Sequence, residues 1–218
     1  MKKLLVVFVL MLCMSVANAQ SGAKALYELL GSGANKSTVT SIIEDVLGDA
    51  ASKLNISVNG KWKYSQPEVQ FKSDNLLAKA GGAATTSKIE SSLSKVYGKI
   101  GIDESFSYTF NSDYTFTQTI KIGSSVKELT GTYTLDKTNM IITLAYSGIG
   151  DKSLGKINAI YANTGTSLVL LFDATEMLSF LKKVISAVNS VSGKAGLATV
   201  SALLERYDGA LIGYKMKK

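Results

Sequence analysis

The sequence predicts a mainly β protein with α additions: eight antiparallel strands closed into a barrel, helical insertions between strands, and a helical segment in front. Three observations predict it. From residue 104 to 172 aromatic or branched residues alternate with Thr, Ser and Lys, the two-residue period of strands with one buried face. The stretches between these runs are too short to hold crossover helices, so neighbouring strands run antiparallel. Eight twisted strands close readily, because closure removes exposed edges and leaves an interior just wide enough for side chains or one small ligand.

The N-terminus reads as a secretory signal: Lys2 and Lys3, an unbroken apolar run Leu4–Leu12, then Ala17-Asn18-Ala19 before Gln20. The run is shorter than the roughly 20 residues that cross a bilayer. Residues 1–19 are assigned to the signal, and the mature protein is expected outside the cytoplasm, periplasmic or secreted. Cys13 offers a second processing site as an acylated first residue, but Met11 and Leu12 before it are bulky where lipidation favours small residues. Cleavage after Ala19 removes the one cysteine, leaves stability to packing instead of disulfides, and takes two lysines from a formal charge of +7.

Residues 20–58 form an N-terminal helical segment. Leu26, Leu29 and Leu30 carry helical spacing, followed by Val39, Ile42, Ile43, Val46 and Leu47, with Ser37 or Thr38 placed to cap the second run. The barrel is assigned to residues 59–218. Asn59-Gly60 supplies a turn, and Lys61-Trp62-Lys63-Tyr64 opens the first strand. Trp62 and Tyr64 share one face, whereas Val69 and Phe71 beyond Pro67 fall on the opposite parity. The slip of one residue requires a bulge or bend if both pairs are to point inward.

Helical insertions are expected at about 74–98 and 174–206. In the first, Ser73 or Asp74 caps a short run to Ala80, Gly81-Gly82 breaks it, and Thr86–Tyr97 continues through Ile89, Leu93, Val96 and Tyr97. Strands follow with Phe106, Tyr108 and Phe110; with Tyr114, Phe116 and Ile120 after the turn Asn111-Ser112-Asp113; and with Leu129, Tyr133 and Leu135, where Gly131 suits tight curvature. Met140, Ile142, Leu144 and Tyr146 make the next, and residues 157–163 and 167–172 form a hairpin around Thr164-Gly165-Thr166. Asp173 caps a helix over 174–191 with Leu178, Leu181, Val184, Ile185 and Val188 on one face. A second run spans 197–206, and residues 210–216 close the sheet.

Composition excludes several functions. With 46% hydrophobic and 19% charged residues over 218 positions, the chain is neither a disordered tail nor a multispan membrane protein. It contains no histidine, which removes His-based general bases, the Ser-His-Asp triad and His-ligated zinc. Asp103-Glu104 and Glu44-Asp45 do not form facing carboxylate pairs, Lys127 and Lys137 read as solvated amines, and neither a calcium loop nor a P-loop spacing is present. The basic excess is spread along the chain except for Lys215-Met216-Lys217-Lys218, so no nucleic-acid footprint is expected.

Gly60-Lys61-Trp62 resembles the Gly-x-Trp opening of lipocalins and the wider calycin group, in which the Trp plugs one barrel end. Together with Phe71-Lys72-Ser73-Asp74-Asn75-Leu76-Leu77-Ala78-Lys79-Ala80-Gly81-Gly82-Ala83-Ala84 and the ending Arg206-Tyr207-Asp208-Gly209 with Ile212-Gly213-Tyr214, it resembles an uncharacterised bacterial family of secreted lipocalin-like proteins. That resemblance implies a lipocalin-like barrel and no activity. The helical pair between strands one and two is similar in placement to the portal lid of fatty-acid-binding proteins, but Arg206 is the only arginine and no carboxylate-binding set matches theirs.

The expected function is an exported, non-catalytic barrel that binds a small hydrophobic ligand, with no cofactor or metal. Its expected lining is Trp62, Tyr64, Phe106, Tyr108, Phe110, Phe116, Tyr133, Tyr146, Tyr161 and Phe172. The alternative is a filled barrel in which these rings are core and the helices dock another envelope protein.

Overall fold

A computed structural model describes residues 42–44, 57–71, 83–122, 124–148, 153–187, 194, 198, 201–202 and 210–218. The signal, most of the N-terminal helical segment, the run 74–80 and most of 188–206 lie outside the described residues. Eight strands follow in order: β1 (Gly60–Phe71), β2 (Ser107–Phe110), β3 (Thr115–Ile122), β4 (Ser125–Asp136), β5 (Ile141–Tyr146), β6 (Gly155–Asn163), β7 (Ser167–Asp173) and β8 (Ala210–Lys217). Each pairs antiparallel with the next, and β8 pairs with β1, so the sheet is a closed meander. Among the described residues helix α1 (Ala83–Lys99) lies between β1 and β2 and helix α2 (Ala174–Ala187) between β7 and β8.

The parity slip in β1 is resolved by a bulge. The register to β8 runs Tyr64↔Met216 and then Gln66↔Lys215, leaving Ser65 as the extra residue. Trp62 before it and Val69 and Phe71 after it are all buried in the same core cluster. Pro67 stands beyond the last β1–β2 pair, Lys63↔Ser107, where β1 has only β8 as a ladder partner. The Glu90 carboxylate of α1 accepts the Val69 N–H on that open side. By the two-residue period the Pro67 nitrogen faces the same way, so its missing donor costs the ladder nothing.

Helix α1 forms because Ile89, Leu93, Val96 and Tyr97 build one buried stripe. It stops at Gly101, whose φ of +85° lets the Ile102 N–H return to the Tyr97 carbonyl at 2.8 Å, closing the last turn. Helix α2 starts at Asp173, whose carboxylate accepts the Thr175 and Glu176 N–H groups at 2.9 and 3.2 Å. Both helices sit at the end of the barrel where β1 ends and β8 begins. The β2–β3, β4–β5 and β6–β7 turns lie at the other end.

Burial sorts the outer surface in two. On β1 and β4 the outward residues Lys61, Lys63, Thr130, Thr132 and Thr134 are exposed, the reverse of a lipid-facing barrel. Across β5 to β8 the outward residues Ile141, Ile160, Ala162, Val169, Leu171 and Leu211 form a second apolar cluster with Ile42 and Ile43. Ile42 and Ile43 thus pack on the barrel wall. Two sequence expectations move in detail. Tyr114 stands in the turn before β3 with φ +64° and is 57% exposed, so it leaves the interior face. In α2, Met177 and Phe180 join Leu181, Val184 and Ile185 on the buried face, while Leu178 is only partly buried.

Candidate functional site: the barrel interior

Nine of the ten expected lining residues are buried in the interior cluster, and the tenth, Tyr64, is partly buried against it. They divide into a plug, a packed half and a polar remainder. Trp62 is the plug. It is fully buried, its indole N–H donates to the Val58 carbonyl at 2.7 Å, and the Lys218 ammonium lies 5.0 Å from its ring. At the same end the Tyr133 hydroxyl stands 2.8 Å from both the Asn59 side-chain oxygen and the Asn111 carbonyl, and the Asn163 amide donates to the Ser57 carbonyl. These bonds tie the segment entering β1 across the barrel mouth.

The packed half runs from β2 to β5. Phe110 meets Tyr133 edge-on at 5.1 Å and stacks on Tyr108 at 5.4 Å, and Phe116 meets Tyr146 edge-on at 4.9 Å. Gly131, paired directly with Phe116, leaves room for that ring: a Cβ there would fall 2.8 Å from it and 2.2 Å from the Ala145 carbonyl oxygen. The hydroxyls in this half satisfy one another. Tyr146 lies 2.5 Å from the Gln118 side-chain carbonyl, which can only accept, so Tyr146 donates there and accepts from Tyr108 at 2.7 Å. Burial and neighbouring hydroxyls push both phenols well above their ordinary range, so the relay stays protonated.

Helices finish the interior. Phe180 of α2 packs on Tyr146 at 4.5 Å, and the Tyr214 hydroxyl points at Met177 Sδ, 3.8 Å away. Tyr214 of β8 is a hub, in ring contact with Phe106 at 5.0 Å, Phe172 at 5.6 Å and Tyr97 of α1 at 5.9 Å. Tyr97, Phe180, Met177, Tyr214 and Gln118 were not among the expected lining residues. Tyr214 was legible, since it shares parity with Ile212 and Met216 on the closing strand. Gln118 was too, lying between Phe116 and Ile120 in the same phase. Phe180 and Tyr97 were not, because a helical stripe does not say whether it covers a barrel or enters it.

The polar remainder is a set of phenols outside that relay. Tyr97 is fully buried and its hydroxyl has no hydrogen-bond partner; the same holds for Tyr161 of β6, whereas the buried hydroxyl of Tyr64 has the Ser94 side chain of α1 beside it. Tyr64 and Tyr97 meet edge to face, with ring centroids 6.4 Å apart. Burial pushes Tyr64 and Tyr161 up to about 12 and raises Tyr97 further, so all three remain hydrogen-bond donors. Native interiors rarely leave such groups unpaired, since each costs about 1–3 kcal/mol.

The match to known proteins settles the family. Residues 30–218 match the family described as lipocalin-like domain (DUF4923). The chain belongs to that family. Among solved structures it is similar to a DUF4847 family protein from Bacteroides vulgatus ATCC 8482, with 13% identity over 80% of this chain and 96% of that one, and a TM-score of 0.34. None of the curated proteins matches it. The DUF4923 barrel thus has the closed antiparallel fold that the Gly-x-Trp opening implied. Among its described residues no helix is long and apolar enough to cross a membrane, and no cluster of three acidic or sulfur ligands could hold a metal.

Proposed function

We propose that this DUF4923 protein is an exported, non-catalytic barrel that holds a small hydrophobic molecule in its interior. One observation carries the reading: two tyrosine hydroxyls, on Tyr97 and Tyr161, lie in an apolar barrel without partners. A molecule with an apolar body and a polar atom supplies what the packed half obtains from its own Tyr-Tyr-Gln relay. The sequence supports export through Lys2, Lys3 and the Ala17-Asn18-Ala19 pattern. The inventory supports binding over catalysis. Histidine is missing, and Asp103, Asp113, Asp136 and Asp173 are engaged in turns and a helix cap.

The test is direct. The protein is purified without denaturant from the exported fraction, its N-terminus is sequenced, and the sample is extracted with organic solvent for mass spectrometry. The reading expects a chain beginning at Gln20 and a co-purifying apolar small molecule at near one per barrel. An empty extract, together with failure of the folded protein to bind an apolar naphthylamine dye, overturns the binding reading. The ring-on-ring contacts of the β2–β5 half favour a second reading, a filled barrel that acts by its surface on another envelope protein. That reading expects the empty extract.

A further inference from the structure

The interior is uncharged as well as apolar among the described residues. Among the described residues the side chains pointing inward are apolar or neutral, and no lysine or arginine is buried: Lys61, Lys63, Lys121, Lys127, Lys156 and Lys217 on the strands are exposed, and Lys215 is only partly covered. The orphan phenols offer donors and no positive charge. An anion placed among these hydroxyls would meet a desolvation cost with no inward-facing cation among the described residues to offset it.

Resting on the interior-binding reading, we infer that the seam between Tyr64 of β1 and Tyr97 of α1 is the head-group site, and that it takes an uncharged acceptor, the carbonyl of an ester, ketone or aldehyde, on an apolar chain. A carboxylate is rejected. Tyr97 is the principal donor because it is fully buried and because α1 packs it against both Tyr64 and Tyr214. Tyr64 contributes from the strand side, with Ser94 of α1 beside its hydroxyl. A ligand carbonyl accepting from Tyr97 would tie α1 to the barrel through the ligand, so occupancy also stabilises the docked helix.

Three matched probes test this on the delipidated full-length protein: methyl laurate, laurate and dodecane, each titrated at pH 8 against a bound naphthylamine dye. The ester is expected to bind at least about tenfold more tightly than the acid. Tyr97→Phe, which keeps the ring, is expected to weaken the ester by about three- to tenfold and leave dodecane unchanged. Tyr64→Phe serves as the second variant, with a smaller loss for the ester alone. Laurate binding as tightly as its ester, or an ester affinity indifferent to both variants, overturns the head-group assignment while leaving interior binding intact. Binding of none of the three probes removes the interior-binding reading and this inference with it.

Discussion

Removing one oxygen atom from Tyr146 and from Tyr97 has opposite expected consequences, although both changes are Tyr→Phe in the same barrel. In Tyr146→Phe, Tyr108 loses its acceptor at 2.7 Å and Gln118 loses its donor at 2.5 Å, so two buried polar groups become orphans. Each orphan costs about 1–3 kcal/mol. Because the Tyr108 hydroxyl can turn toward Tyr214, which lies beside it, the net loss is set at about 2–4 kcal/mol. A domain of this size shifts its Tm by about 2–4 °C per kcal/mol, so Tm falls by about 4–16 °C. Tyr97→Phe removes a hydroxyl that has no partner, so the ligand-free protein stays within about 0.5 kcal/mol of the parent or gains stability. Urea and thermal unfolding followed by far-UV circular dichroism measure both, on delipidated protein. Equal losses in the two variants, or a larger loss at Tyr97, would refute the division of the interior into a satisfied half and an orphan seam.

Other outcomes follow from single positions. Gly131→Ala places a methyl 2.2 Å from the Ala145 carbonyl and against Phe116, so β4 and β5 must part; a loss of about 2–4 kcal/mol is expected by urea titration. Gly98→Ala meets nothing within 4 Å at an exposed position of α1, and helix propensity gives a gain of about 0.5–1 kcal/mol in the same assay. Glu68 and Glu90 both have carboxyls raised in the folded state, chiefly by burial. The folded protein therefore holds more protons than the unfolded chain above the ordinary glutamate range, and this contribution is full in acid and lost as pH rises through the folded values. Glu68→Gln should flatten that decline in a pH series of unfolding curves. Ile42→Ala, deleting side-chain volume where Ile42 and Ile43 pack on the outer face of β5–β8, should cost about 2–4 kcal/mol; no change would mean that Ile42 does not pack on the wall.

The sequence carried the barrel because period-two alternation is a local signal. Eight aromatic or branched runs with turn residues between them leave little choice of architecture, and even the one-residue slip between Tyr64 and Val69 announced the bulge at Ser65. Turn edges were less legible. Tyr114 continues the alternation of Phe116 and Ile120 in sequence, yet Asp113 holds the Thr115 N–H at 3.0 Å and Tyr114 goes to positive φ in front of the strand. The site was half legible for a similar reason. Strand parity nominated ten rings that do face inward, but the residues that set the chemistry arrive from elsewhere: Tyr97 and Phe180 from helices whose depth no periodicity reports, and Gln118 as a polar residue in an apolar phase. Which hydroxyls are satisfied depends on distances across the barrel, such as the 38 residues between Tyr108 and Tyr146, and no local pattern encodes that.

The decisive measurement is the electron density around the Tyr97 hydroxyl in a crystal structure of the protein purified with whatever it carries from the cell. The account predicts continuous density for an elongated molecule with a polar atom at hydrogen-bond distance from Tyr97 and Tyr64. Density for protein alone, with those hydroxyls bonded to each other or to a lone water, would contradict it.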